Sequence, residues 1–167
     1  MKTTIENCPF CSPTIERLSW LETEKVRVVY NTAPLLPGHS LVLPKRHVSS
    51  LLELSDSEIN ELFQVARKAA LILLRVFQGD GFDISLQDGE AAGQTVAHLH
   101  IHVLPRKFGD PLSNQDWHNQ LLDSQSRPRL SDEDLLPIVQ KLREEVICDD
   151  DSKLTSTPSQ LTLLASR

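Results

Sequence analysis

With 167 residues and a formal net charge of −6, the chain is sized for one domain with a sizeable core and has the wrong sign for bulk electrostatic binding to nucleic acid or an anionic membrane. No apolar run approaches the roughly 20 residues of a membrane span, and the opening MKTTIENCPF lacks a signal-peptide core; the expectation is a cytoplasmic protein with neither nucleic acid nor membrane as partner. Three cysteines, Cys8, Cys11 and Cys148, are too few and too odd in number for a disulfide framework.

In chain order, Cys8-Pro9-Phe10-Cys11 comes first. A C-x-x-C suits a redox pair, half of a metal site or two ordinary thiols, and no thioredoxin-like βαβ pattern surrounds this one. Residues 26–30 (VRVVY) and 39–43 (HSLVL) read as strands, the second stopped by Pro44. Pro34, Pro37 and Gly38 mark the turn between them, so the pair is expected as an antiparallel hairpin. Ser55-Asp56-Ser57-Glu58 has the spacing of a capping box. The helix it opens runs to about Phe77, with Ile59, Leu62, Phe63, Ala66, Ala69, Ala70, Leu73 and Leu74 at helical spacing, and Gly79 and Gly81 end it. Residues 82–88 (FDISLQD) alternate as a third strand, and Gly89 to Gly93 make a second turn.

The next stretch, HLHIHVLPR, spends three of the chain's six histidines on one alternating run. Period-two alternation puts Leu99, Ile101 and Val103 on a core and turns His98, His100 and His102 to the other face. Same-side residues lie roughly 7 Å apart along a strand, so the three imidazoles suit one metal ion, one phosphate group or one proton network. Pro105 is expected to end the strand, with Arg106 and Lys107 just beyond. Residues 109–130 are polar and irregular, with Trp117 as the one large anchor. Ser131 to Asp134 cap a last helix that reaches about Ile147 despite Pro137. Residues 149–167 open with three aspartates and read as a mobile tail whose LTLLA segment has the composition to dock on a second subunit.

His98-Leu99-His100-Ile101-His102-Val103-Leu104 resembles the motif of the histidine triad (HIT) family. LQDGEAAGQTVAHLHIHVLPRKFGD (86–110) is similar to the fragile histidine triad branch, whose members hydrolyse dinucleoside polyphosphates, and VVYNTAPLLPGHSLVLPKRH (28–47) fits the family's first hairpin. The resemblance implies an α+β fold, an antiparallel sheet of about five strands with two main helices, in a domain over residues 1–148 followed by the tail. It also implies a homodimer. The implied chemistry is nucleotidyl transfer: a histidine attacks the α-phosphate of a nucleotide conjugate, a covalent nucleotidyl-histidine forms, and water releases the nucleoside monophosphate.

Carried over residue by residue, His100 is the nucleophile. His102 binds a phosphate oxygen or protonates the leaving group, and His98 orients the network. Gly93, Gln94, Thr95 and Val96 contact phosphate, Gln87 lies near the scissile phosphate, Asn31 holds the ribose, and His39 is an additional buried histidine. Val29 and Leu41 are candidates for the base pocket. Some family members carry zinc on a cysteine pair and two histidines; the matching positions here are Cys8, Cys11, His47 and His98, a closed Cys₂His₂ set of structural type. The fragile histidine triad branch lacks that cysteine pair, so the chain departs from it here. An adenosine phosphoramidase, as in the Hint branch, and a nucleotide-binding signalling module with incidental hydrolysis are the competing readings. A nucleotidyltransferase would need an acceptor site that no residues suggest.

Overall fold

The computed structural model describes residues 5–112, 120, 121, 123 and 126–155. Five strands, β1 (Ser19–Glu22), β2 (Val26–Tyr30), β3 (Ser40–Pro44), β4 (Gly81–Leu86) and β5 (Ile101–Arg106), form one antiparallel sheet in the order β1-β2-β3-β5-β4. Two long helices complete it: α1 (Asp56–Phe77) and α2 (Asp132–Thr155). The expected α+β architecture with about five strands and two main helices is the one observed.

Helix α1 starts where the capping box places it. Ser55 Oγ accepts from the Glu58 N–H, and the Glu58 carboxylate accepts from the Ser55 N–H at 2.9 Å. Leu62, Val65, Ala66, Ala69, Ala70, Ile72 and Leu73 form its buried stripe, and the alanines keep the helix close to the sheet. The stripe packs with Leu99, Ile101 and Val103, all fully buried, in one core. Each aliphatic side chain so removed from water contributes about 1.5–3 kcal/mol. Helix α2 packs beside α1 against β1, where the Arg143 guanidinium donates to the Ser19 carbonyl at 2.8 Å.

Several boundaries differ from the sequence expectation. Strand β1 was not anticipated; it is only four residues long and hairpins onto β2 through Thr23 to Lys25. The left-handed residue closing α1 is Gln78, at φ 54°, not a glycine. Helix α2 continues past Ile147 to Thr155, so the first part of the expected tail is helical. Trp117 and the LTLLA segment lie outside the described residues.

Neither Pro44 nor Pro105 stops its strand. Backbone groups alternate between the two sides of a strand. The Lys45 N–H bonds the Lys25 carbonyl, so Lys45 faces β2 and Pro44 faces the opposite side. The Arg106 carbonyl accepts from the Asp80 N–H, so Pro105 faces away from β4, where β3 has already ended. Each proline sits where no ladder partner asks for its missing N–H. Beside Pro105, Gly38 has φ 93°, and a Cβ there would lie 2.5 Å from the Pro105 ring and 2.8 Å from Phe77. The Gly38 N–H donates to the Tyr30 hydroxyl at 2.9 Å, which fixes the turn between β2 and β3.

Candidate active site and metal centre

The face of the sheet opposite α1 carries the histidines, but it is not a solvated face. His98, His100 and His102 are 0%, 6% and 8% exposed. His98 and His100 precede β5, and only His102 lies within it, paired with Leu41 and Ser85. The cover comes from the N-terminal segment. Phe10 sits edge-on to both His98 and His100, with ring centroids 5.7 and 5.1 Å away. A cavity of about 290 Å³ opens there, lined by Asn31, Thr95, Val96, His100 and His102 among others. Val29 and Leu41 form part of its wall. A larger groove of about 530 Å³ lies around Phe77, Pro105 and Phe108, but no imidazole or cysteine among the described residues faces it.

Hydrogen bonding assigns a tautomer to His39, His98, His100 and His102. The Leu35 N–H points at His39 Nδ1, at 3.2 Å, so that nitrogen accepts and the His39 proton is on Nε2. His39 Nε2–H then donates to His102 Nδ1 at 2.9 Å, which leaves His102 with its proton on Nε2. His100 Nδ1–H donates to the His98 carbonyl at 2.8 Å, leaving the His100 Nε2 lone pair without a proton. His98 Nε2–H donates to the Pro44 carbonyl at 2.9 Å, leaving the His98 Nδ1 lone pair free. Burial holds these rings neutral. It lowers His39 to about 3, with help from Arg127 and His100. His100 and His102 are also lowered, first by burial and, for His102, by His39, His100 and Arg127 as well. The site therefore presents one unprotonated ring nitrogen, on His100, next to one N–H donor, on His102.

The His98 Nδ1 lone pair faces the cysteines. It lies 3.4 Å from both Cys8 Sγ and Cys11 Sγ, and His47 Nδ1 lies 3.3 Å from Cys11 Sγ. The four donor atoms are all within 4.8 Å of one another. Tetrahedral zinc with Zn–S near 2.3 Å and Zn–N near 2.0 Å would space its ligands about 3.5 Å apart, so the donor set fits that ion. Without a cation, burial and the neighbouring Cys8 push the Cys11 thiol up to about 11; a metal reverses that preference, because thiolate is the ligand.

Of the remaining predicted site residues, Asn31, Thr95 and Val96 line the cavity, whereas His39, Gln87, Gly93 and Gln94 belong neither to its lining nor to the cysteine–histidine cluster. Asn31 lines the cavity, its Oδ1 accepting from the Ala33 N–H and its Nδ2 3.3 Å from His39 Nε2. His39 stands behind His102 and does not line the cavity. Gln87 is buried just after β4, and its amide donates to Ser85 Oγ at 2.5 Å. Gly93 takes φ 89° at the turn before the triad. The Gln94 amide is bonded at both ends to backbone, accepting from the Gly89 N–H at 2.7 Å and donating to the Ser49 carbonyl at 2.9 Å. Sequence reasoning gave no role to Phe10 or to Arg17, Arg127 and Arg129, which also line the cavity. Phe10 was signalled by its place inside the C-x-x-C. The arginines sit in polar stretches and carry no pattern.

The HIT domain model matches residues 13–109. The chain belongs to the HIT family. Among HIT relatives, a bis(5'-adenosyl)-triphosphatase of Dictyostelium discoideum is 39% identical over 111 residues, covering 66% of this chain and 74% of that protein. An asymmetrical bis(5'-nucleosyl)-tetraphosphatase of Schizosaccharomyces pombe is 43% identical over 91 residues, 54% of this chain and 50% of that protein. This HIT chain thus spans only about half the length of the second relative. A zinc-bound histidine triad family protein from Mycobacterium smegmatis superposes with a TM-score of 0.70 at 27% identity, covering 89% of this chain and 99% of that one.

Proposed function

We propose that the chain hydrolyses dinucleoside polyphosphates, releasing a nucleoside monophosphate through a covalent nucleotidyl-histidine. The observation that carries this reading is the fixed tautomer pair in the cavity: a neutral His100 with its Nε2 lone pair free, beside the His102 Nε2–H donor. His100 Nε2 attacks the α-phosphorus, an Nε2–P bond forms, and the bond to the leaving polyphosphate oxygen breaks. His102 donates to a phosphate oxygen as charge builds there. Water then attacks phosphorus, the Nε2–P bond breaks, and the monophosphate leaves. Dividing one displacement into two is what nucleophilic catalysis supplies. The names of the Dictyostelium and Schizosaccharomyces relatives support this substrate class.

Around that pair, Asn31 suits a ribose hydroxyl, and Thr95 with the Val96 backbone suits phosphate. Gly93 lets the chain turn into that segment. Gln94, with its amide bonded to Gly89 and Ser49, acts by holding the turn, and Gln87 stands ready one strand away to orient water. Cys8, Cys11, His47 and His98 would hold zinc, which supplies structural cross-linking and no chemistry at phosphorus. Its effect on this chain is to fix His98, whose carbonyl in turn orients the His100 ring.

A second copy of the chain is the expected partner. Strand β4 is an edge of the sheet and exposes Phe82 and Ile84, a hydrophobic edge of the kind that soluble proteins cover. No helix among the described residues is long and apolar enough to cross a membrane.

The test is turnover of diadenosine triphosphate, diadenosine tetraphosphate and adenosine phosphoramidate by wild type and His100→Ala. Release of AMP from the dinucleotides that vanishes in His100→Ala is the expected result. Preference for the phosphoramidate would move the protein to the phosphoramidase reading. Nucleotide binding with no turnover would leave a binding module.

A further inference from the structure

The cavity holds a group that the steps above leave unused. Arg127 lies among its lining residues, and its Nε and Nη1 are buried without a hydrogen-bond partner. Only Nη2 is engaged, donating to the Leu121 carbonyl at a long 3.4 Å. A buried donor left unmet costs about 1–3 kcal/mol, and more when charged. Such groups persist where a ligand completes them.

The surroundings point to an anion. Although the whole chain is acidic, the described residues that line the cavity include three arginines and no aspartate or glutamate. Arg17 is ion-paired with Asp132, and Arg129 Nη1 donates to Thr32 Oγ1 at 3.3 Å. Asp123 acts on Arg127 only through its charge, and its own carboxylate accepts from Ser126 Oγ. Because His100 and His102 are neutral, arginine is the source of full positive charge among the described residues of this wall. The α-phosphate already meets His100 and His102, whereas a polyphosphate brings further negative charges that no imidazole balances. A guanidinium with unmet N–H donors on Nε and on Nη1 is suited to charge-assisted hydrogen bonds to phosphate oxygens.

We propose that Arg127 binds the phosphates beyond the one attacked by His100, and so sets the preference for polyphosphate over single-phosphate nucleotide conjugates. This rests on the hydrolase reading above. Arg127 comes from the segment before α2 rather than from the triad strand, so the preference is carried by a part of the chain separate from the nucleophile.

The experiment compares full-length wild type, Arg127→Gln, Arg127→Lys and His100→Ala on diadenosine triphosphate and on adenosine phosphoramidate. Losing charge-assisted hydrogen bonds predicts that the kcat/KM ratio, triphosphate over phosphoramidate, falls by about 10- to 100-fold in Arg127→Gln. Arg127→Lys is expected to recover part of that ratio, since lysine keeps the charge without the guanidinium's directed donors. An equal fall on both substrates, or an unchanged ratio, overturns the proposal. If wild type turns over neither substrate, the hydrolase reading fails, and Arg127 is judged by calorimetric binding of ATP and adenosine. ATP weakened about tenfold or more in Arg127→Gln, with adenosine affected far less, sustains the anion role; parallel changes, or none, reject it.

Discussion

The two flanks of His100 solve the problem of buried polarity in opposite ways. On one side, Leu35, His39 and His102 form a relay in which each donor meets an acceptor, ending in one N–H offered to the cavity. That flank is complete as a protein. On the other side, Cys8, Cys11, His47 and His98 aim four donor atoms at a common centre. Two thiols and two ring nitrogens at contact distance satisfy one another poorly, and that flank has the donor set that a cation would complete. A polar cluster that closes on itself gives orientation, whereas one that converges on a point gives a binding site.

The largest test of this contrast is at the residue between the flanks. His100→Ala is expected to lower turnover by roughly 10³-fold or more while both flanks remain folded, read by steady-state kinetics beside a melting curve. Next is the open flank. Cys11→Ser, or stripping the metal with a chelator, is expected to cost about 3 kcal/mol or more of stability, seen as a fall in Tm together with loss of zinc in elemental analysis. If elemental analysis finds no metal in the wild type and the chelator leaves Tm unchanged, the cluster is a set of ordinary thiols and imidazoles.

The closed flank should break more gently. His39→Ala removes the partner of His102 Nδ1 and leaves the Leu35 N–H unmet, for an expected loss of about 1–3 kcal/mol. Its kcat should fall while metal content stays at the wild-type value, which separates the two flanks. Gly38→Ala introduces a methyl against Pro105 and Phe77 at positive φ, with an expected cost of about 1–3 kcal/mol and little change in metal content. Ser55→Ala removes the cap of α1 and no group of either flank, and is expected to cost about 1 kcal/mol with kcat unchanged.

What the sequence made legible was what local pattern encodes. The alternation at 98–103 placed Leu99, Ile101 and Val103 in the core, and the Ser55–Glu58 spacing located the start of α1. The prolines misled because their cost depends on which side of the strand has a neighbour, and that is a property of the sheet. Four-residue β1 is too short to show a period and exists through its pairing with β2. Gln94 has the chemistry of a phosphate donor in sequence; only the fold shows both ends of its amide taken by backbone. Arg127 carried no signal at all, because its distinction is burial without a partner.

Phe10 touches the open flank and the residue between the flanks, resting against His98 and His100 while lining the cavity. The segment from Cys8 to Cys11 is therefore at once half of the Cys₂His₂ donor set and part of the cavity wall. A fragment trimmed to the family-matched residues 13–109 would lose both cysteines, this aromatic wall and Arg127, although it keeps all three triad histidines. The boundary of the conserved signature and the boundary of the working unit are different places, and a chain cut at the first should be inert.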